Sequence, residues 1–286
     1  MPSGTPTIGP IVIPTPNLKL PTQTPIPTFT LEPIPTLTSE QEANLVTTML
    51  ESNGGCELPC WWGIIAGKTT YKGALALFTS LGISLGNAGL TLDTPHPKHT
   101  FDYRLNVGLD DTGSVIQSIK AVGEVYNSLT YEGQLSARFT HDWQRYAWSQ
   151  ILAEYGPPSQ VRINLSSTNY STPASYKLIL FYESLGMAIQ YDGLAKDIDV
   201  QRVRACPRFE NITGIHVTLI SPKQSKALLD TALPPDPLLQ NTTGVRVIDL
   251  WPSLENATGM NVQTFYKTFK DVKSQGCLEE LPTTAP

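Results

Sequence analysis

A chain of 286 residues with 40% hydrophobic residues is long enough to bury one large core or two to three small ones. Its net charge of −5, with no Lys/Arg run able to track a phosphate backbone, argues against nucleic acid and against an anionic membrane surface as partners. No segment reaches the roughly 18 consecutive apolar residues of a spanning helix. The Met-Pro start has neither the basic nor the apolar region of a secretory leader, so a leader or anchor removed from the mature chain is expected.

Residues 1–38 are built from Thr-Pro and Ile-Pro units. Each proline removes a donor and fixes φ, so this segment can neither pair in a sheet nor continue a helix. The composition predicts an extended polyproline-II stalk, which at about 3.1 Å per residue would hold a folded head up to roughly 100 Å from an envelope anchor.

The head begins with SEQEANLVTTMLES, where Ser39 and Glu42 have capping-box spacing and Leu45, Val46, Met49 and Leu50 make an apolar stripe. Next comes CELPCWWG, with three residues between Cys56 and Cys60. Zinc sites usually pair Cys-x-x-Cys with a second Cys/His pair, and redox pairs also need Cys-x-x-Cys. No His or Cys follows in the next thirty or so residues, so a structural disulfide is the better reading. Four cysteines allow three pairings. Pairing Cys56 with Cys60 and Cys206 with Cys277 is favoured, because the first is local, with Pro59 shaping its loop, and the second ties the last helix to the start of its own segment. Trp61 and Trp62 are then expected to pack over the small loop, one inward and one exposed.

Gly67-Lys68-Thr69-Thr70 opens a helix that ends at Gly82. The following Gly82-Ile83-Ser84-Leu85-Gly86 satisfies Gly-x-Ser-x-Gly, but it follows a helix, whereas a nucleophile elbow needs a strand-to-helix turn. His96 and His99, with Asp93 and Asp102 nearby, are separated by a proline that denies them helical ligand geometry; a solvated loop is expected. Residues 103–119 alternate as a hairpin with Asp110 and Asp111 in its turn and Gly113 at the left-handed position. A helix carrying Trp143, Ala147, Trp148, Ile151, Leu152 and Tyr155 on one face leads to Gly156. A second hairpin follows over residues 176–192, with its turn at residues 183–186.

These two stretches fall in step at an offset of 73: Tyr103 on Tyr176, Leu105 on Leu178, Gly113 on Gly186. The expected fold is therefore α+β: two tandem helix-helix-strand-hairpin repeats, over residues 39–135 and 136–205, with helices on one face of an antiparallel sheet. Residues 206–286 form a closing disulfide-bonded segment with strands at 214–221 and 245–251 and a last helix capped by Asn261, bearing Phe265, Phe269 and Val272.

A tandem unit of this kind, with Gly67-Lys68-Thr69-Thr70 opening a helix and Gly156-Pro157-Pro158-Ser159-Gln160-Val161 entering a strand, resembles the β-lactamase inhibitory protein architecture and small outer-membrane assembly lipoproteins. The Cys-x-Leu-Pro-Cys-Trp-Trp-Gly run looks like that of a group of secreted or lipid-anchored bacterial proteins with Thr-Pro stalks, although the chain lacks the lipobox cysteine. The resemblance implies a protein-binding scaffold rather than a reaction.

The function expected is a non-catalytic, cofactor-free, stalk-tethered module outside the cytoplasm that binds protein or envelope glycan through Trp61, Trp62, Tyr182 and Tyr191. The alternative is a self-associating surface subunit whose tail is ordered by neighbouring copies. Sequons at Asn164, Asn169, Asn211, Asn241 and Asn256 are candidate glycosylation sites.

Overall fold

Thr38 starts the first helix: its hydroxyl accepts from the Gln41 N–H, while the Gln41 side chain accepts from the Thr38 N–H at 2.9 Å. This box falls one residue before the Ser39–Glu42 pair expected, and Gln41 meets the same orphan donors. Helix α1, Ser39–Ser52, buries Val46 and Leu50. The computed structural model describes residues 37–82, 101–125, 133–166, 175–194, 197–199, 202–232, 251–271 and 276–279. The expected stalk up to residue 36, Ser84, His96, His99, Asp93, Asn169, Asn241, Val272 and residues 245–250 lie outside these.

Cys56 and Cys60 are disulfide-bonded, and so are Cys206 and Cys277, as the spacing argued. β1 (Cys60–Trp61) and β2 (Ile64–Ile65) form a two-residue ladder beside the first bridge. Thr70 caps α2 (Tyr71–Ser80) by accepting from the Gly73 N–H, and Gly82 follows the helix at φ 74°.

The main sheet has six antiparallel strands. They are β3 (Phe101–Leu109), β4 (Ile116–Val125), β5 (Gln160–Ser166), β6 (Ser175–Tyr182), β7 (Met187–Leu194) and, after β8 (Asp197–Asp199) and β9 (Arg202–Ala205), β10 (Ile212–Ile220). Their order is β3-β4-β10-β7-β6-β5. Register places Leu105, Ala121, Val217, Ile189, Leu180 and Val161 in one row across all six strands, every one of them buried. That row marks the face on which α1, α2, α3 (Gly133–Asp142) and α4 (Trp148–Tyr155) pack.

Both expected hairpins form, with Gly113 at φ 68° and Gly186 at φ 62° in their turns. The tandem arrangement is not what the sheet shows. In each hairpin it is the second strand, β4 or β7, that flanks β10, and each runs antiparallel to it. Both hairpins bury the same face, so seen from that face one turns clockwise and the other anticlockwise. A rotation preserves the sense of turning, and duplicated units must be related by rotation. The offset of 73 therefore reflects two helix ends and two hairpins made with the same chemistry, related here by reflection.

The broad-faced helix expected from residue 141 onward is interrupted. α3 ends at Asp142, a 3-10 turn covers Gln144–Tyr146, and Ala147 is extended at ψ 138° before α4. Tyr146, Ala147, Trp148 and Ser149 are all buried. Four consecutive helical residues point right round the axis, so an unbroken helix could not bury them against one sheet.

Residues 206–286 do more than close the chain, because β10 is an interior strand between the two hairpins. α5 (Leu228–Ala232) and Trp251 cover part of the opposite sheet face. α6 (Leu254–Thr258) follows, and the Asn261 side chain caps α7 (Val262–Phe269), which buries Phe265 and Phe269 as expected. β11 (Leu278–Glu279) pairs with β9 beside the Cys206–Cys277 bond, whose partners are 71 residues apart; closing such a loop stabilises by about 4 kcal/mol in the chain-entropy account.

Candidate functional site

The four aromatic residues expected to bind a partner are core residues. Trp61 is 1% exposed, Trp62 4%, Tyr182 4% and Tyr191 0%. Trp61 stacks on the Trp62 ring at 5.6 Å and packs at a tilt on Tyr146 at 5.1 Å and Trp143 at 6.1 Å, so the CELPCWWG loop is held against the turn that follows α3 by aromatic rings. Gly123 makes this possible, since a Cβ there would meet the Trp143 ring at 2.5 Å. Tyr191 donates its hydroxyl to the Tyr146 carbonyl and Tyr182 to that of Gly156, which ties α4 and its approach to the sheet. An aromatic surface platform at these positions is thus corrected to packing: large rings flank the main core, where their burial is most favourable.

The loop itself is organised by Asn53, a residue that sequence reasoning passed over. Fully buried and left-handed at φ 50°, it donates from Nδ2 to the Cys56 and Cys60 carbonyls at 2.9 and 2.8 Å, and its Oδ1 accepts from the Trp62 N–H at 3.3 Å. Asp110 plays the turn role expected of it: Oδ1 accepts from the Ser114 and Val115 N–H groups, which hold its carboxyl below the usual range.

Among the sequons, Asn164 is half-buried in β5, Asn211 ends a 3-10 turn before β10, and Asn256 is exposed on α6. Asp102 lies in β3. Among the described residues, no group of three or more His, Cys, Asp or Glu side chains has metal-holding geometry.

The concentration of chemistry lies on the sheet face turned away from α1–α4. Every second residue of each strand points there, and five strands bring Arg104, Glu124, His216, Asp192 and Lys177 together, with Lys120 on β4 and Arg162 on β5 on the same face. Arg104 pairs closely with Glu124. His216 Nε2 stands 3.2 Å from Glu124 Oε1 and 3.6 Å from Asp192 Oδ2, and Lys177 Nζ is 3.7 Å from Asp192 Oδ2. The Gln190 amide donates to Asp192 Oδ1 at 2.7 Å. Register explains the assembly, because Gly214 on the interior strand sits directly between Glu124 and Asp192 and carries no side chain to separate them.

Electrostatics follow from that geometry. The His216 hydrogen bond holds the Glu124 carboxyl below its usual range, against the opposing effect of burial. Lys120, two rows along β4, is pushed down by burial, with Glu124 and Asp192 opposing. Arg104, Glu124 and Lys177 keep about a third or more of their side chains exposed, at 35%, 32% and 42%, so a partner can reach them. Their signal in sequence is only the polar half of each strand's alternation; which polar residues meet depends on strand order.

No known protein family, curated protein or solved structure matches this chain, so the reading of the site rests on its own geometry.

Proposed function

We propose that this chain is a non-catalytic binding module that works outside the cytoplasm, held off its anchor by residues 1–38, and that it recognises protein or glycan through the polar face of its sheet. The observation that supports this best is the cluster Arg104–Glu124–His216–Asp192–Lys177 on two adjacent rows of the sheet, which offers reachable donors and acceptors from five strands. Paired charges on a preorganised sheet suit recognition, since their ordering cost is met by folding. Two disulfides in a chain of this size fit an oxidising compartment.

Binding of the purified chain to cell-envelope fractions tests the reading. An Arg104→Ala/Lys177→Ala double variant is expected to bind about tenfold more weakly and with less salt dependence, at an almost unchanged thermal midpoint. Envelope binding that is indifferent to both substitutions would move the recognition surface elsewhere.

A further inference from the structure

The helical layer carries a second concentration of polar groups, on the other side of the sheet from the cluster described above. Glu51 on α1, His141 on α3, Gln144 and Arg145 in the 3-10 turn, and Gln150 and Glu154 on α4 line one cleft of about 460 Å³. That volume lies in the range of small-ligand sites, roughly 300–1,000 Å³. No apolar residue lines the cleft, so an occupant must be held by charge and hydrogen bonds.

The charges of this cleft are opposite yet unmatched. Arg145 is half-buried, and among the described residues no carboxylate stands within ion-pair distance of it. Glu154 likewise has no cation within that distance; one of its oxygens accepts from the Tyr155 hydroxyl at 2.8 Å, which leaves the other for a further donor. Glu51 has His141 Nδ1 at 3.7 Å, but Asp142 shares that nitrogen at the same distance.

Helix ends sharpen the contrast. Glu51 and Glu154 stand in the last turns of α1 and α4, and neither turn holds a basic residue. The negative end of each helix therefore adds to the potential of its carboxylate, and a cation there is favoured. Arg145 offers the reverse, a planar guanidinium fork that suits a carboxylate. Burial of Tyr146 and Ala147 anchors the backbone of the turn that carries it.

We infer that this cleft binds a short peptide by its two charged termini. Glu154 takes the ammonium, with Glu51 adding to the negative potential, and Arg145 takes the carboxylate. The side-chain amides of Gln144 and Gln150 can both donate to and accept from the peptide link. An amine or a carboxylic acid alone would use half of the site. None of these residues belongs to the polar sheet face, so this inference is independent of the reading proposed for that face.

Amide chemical-shift titration of the full chain with alanyl-alanine, its N-acetyl form and its C-terminal amide tests this. The dipeptide with both termini charged is expected to shift amides between residues 141 and 155, and each blocked form to bind about tenfold more weakly. Arg145→Met should bring the unblocked dipeptide down to the level of its amide, and Glu154→Gln down to that of the N-acetyl form. If a variant fails to fold, the parent chain decides: a blocked form that binds as tightly as the unblocked dipeptide overturns the inference. Amides 141–155 that stay in place at about 10 mM dipeptide, or an affinity unchanged in either folded variant, overturn it too.

Discussion

Asn53 shows how much one side chain can organise. Its amide satisfies two carbonyls of the disulfide loop and the amide of Trp62 at once. Asn53→Ala would leave these groups buried and unpaired and is expected to destabilise by about 2–4 kcal/mol, more than the usual loss of one hydrogen bond; urea unfolding of the variant measures it. At Glu124 the sign of the pH effect follows from the His216 hydrogen bond. The folded-state pKa is lowered, so this carboxylate contributes stability that is present above its unfolded pKa and lost as pH falls through the folded one. Glu124→Gln should therefore cost stability at neutral pH and converge on the parent at low pH, which unfolding midpoints against pH would reveal. Equal loss at every pH would mean that the contact acts through packing rather than charge. Neither residue was conspicuous in the sequence, since a buried Asn after a helix and a Glu in a strand are common; only their partners make them important.

At the scale of elements, hairpins and helix ends were legible because they depend on near neighbours. A left-handed residue is needed where each turn closes, and glycine supplied it at Gly113 and Gly186. Tertiary surroundings nevertheless separate these two positions. A Cβ at Gly113 would meet nothing within 4 Å, whereas at Gly186 it would meet the Ile220 carbonyl oxygen at 2.4 Å. Gly113→Ala should cost about 1 kcal/mol, the price of the left-handed conformation alone. Gly186→Ala should cost distinctly more, about 2–3 kcal/mol, because the β10 backbone must also shift. Equal costs in chemical denaturation would show that β10 yields freely there. The interruption between α3 and α4 was hidden for the opposite reason: local propensity favours continuing, and only burial of four consecutive residues forces the break.

For the whole molecule, the decisive feature is β10, which joins two hairpins that otherwise share no ladder. A chain ending at residue 205 would expose the inner edges of β4 and β7 and part of their apolar rows, although it contains both hairpins and α1–α4 complete. It is expected not to fold cooperatively, as measured by the loss of a sigmoidal thermal transition; a sharp transition in that fragment would show that the hairpins form stable units alone. Sequence by itself determined the α+β class, the hairpin turns and the Asn261 cap, which depend on residue type at short spacing, and it favoured the cysteine pairing that the structure shows out of three possible ones. Only the tertiary structure decided that Trp61, Trp62, Tyr182 and Tyr191 are core, that the hairpins face each other across β10 by reflection, and that Arg104, Glu124, His216, Asp192 and Lys177 form one site. Strand alternation states which residues share a face within a strand, but which strands are neighbours is set by the burial of the whole apolar surface at once, and no local pattern encodes that choice.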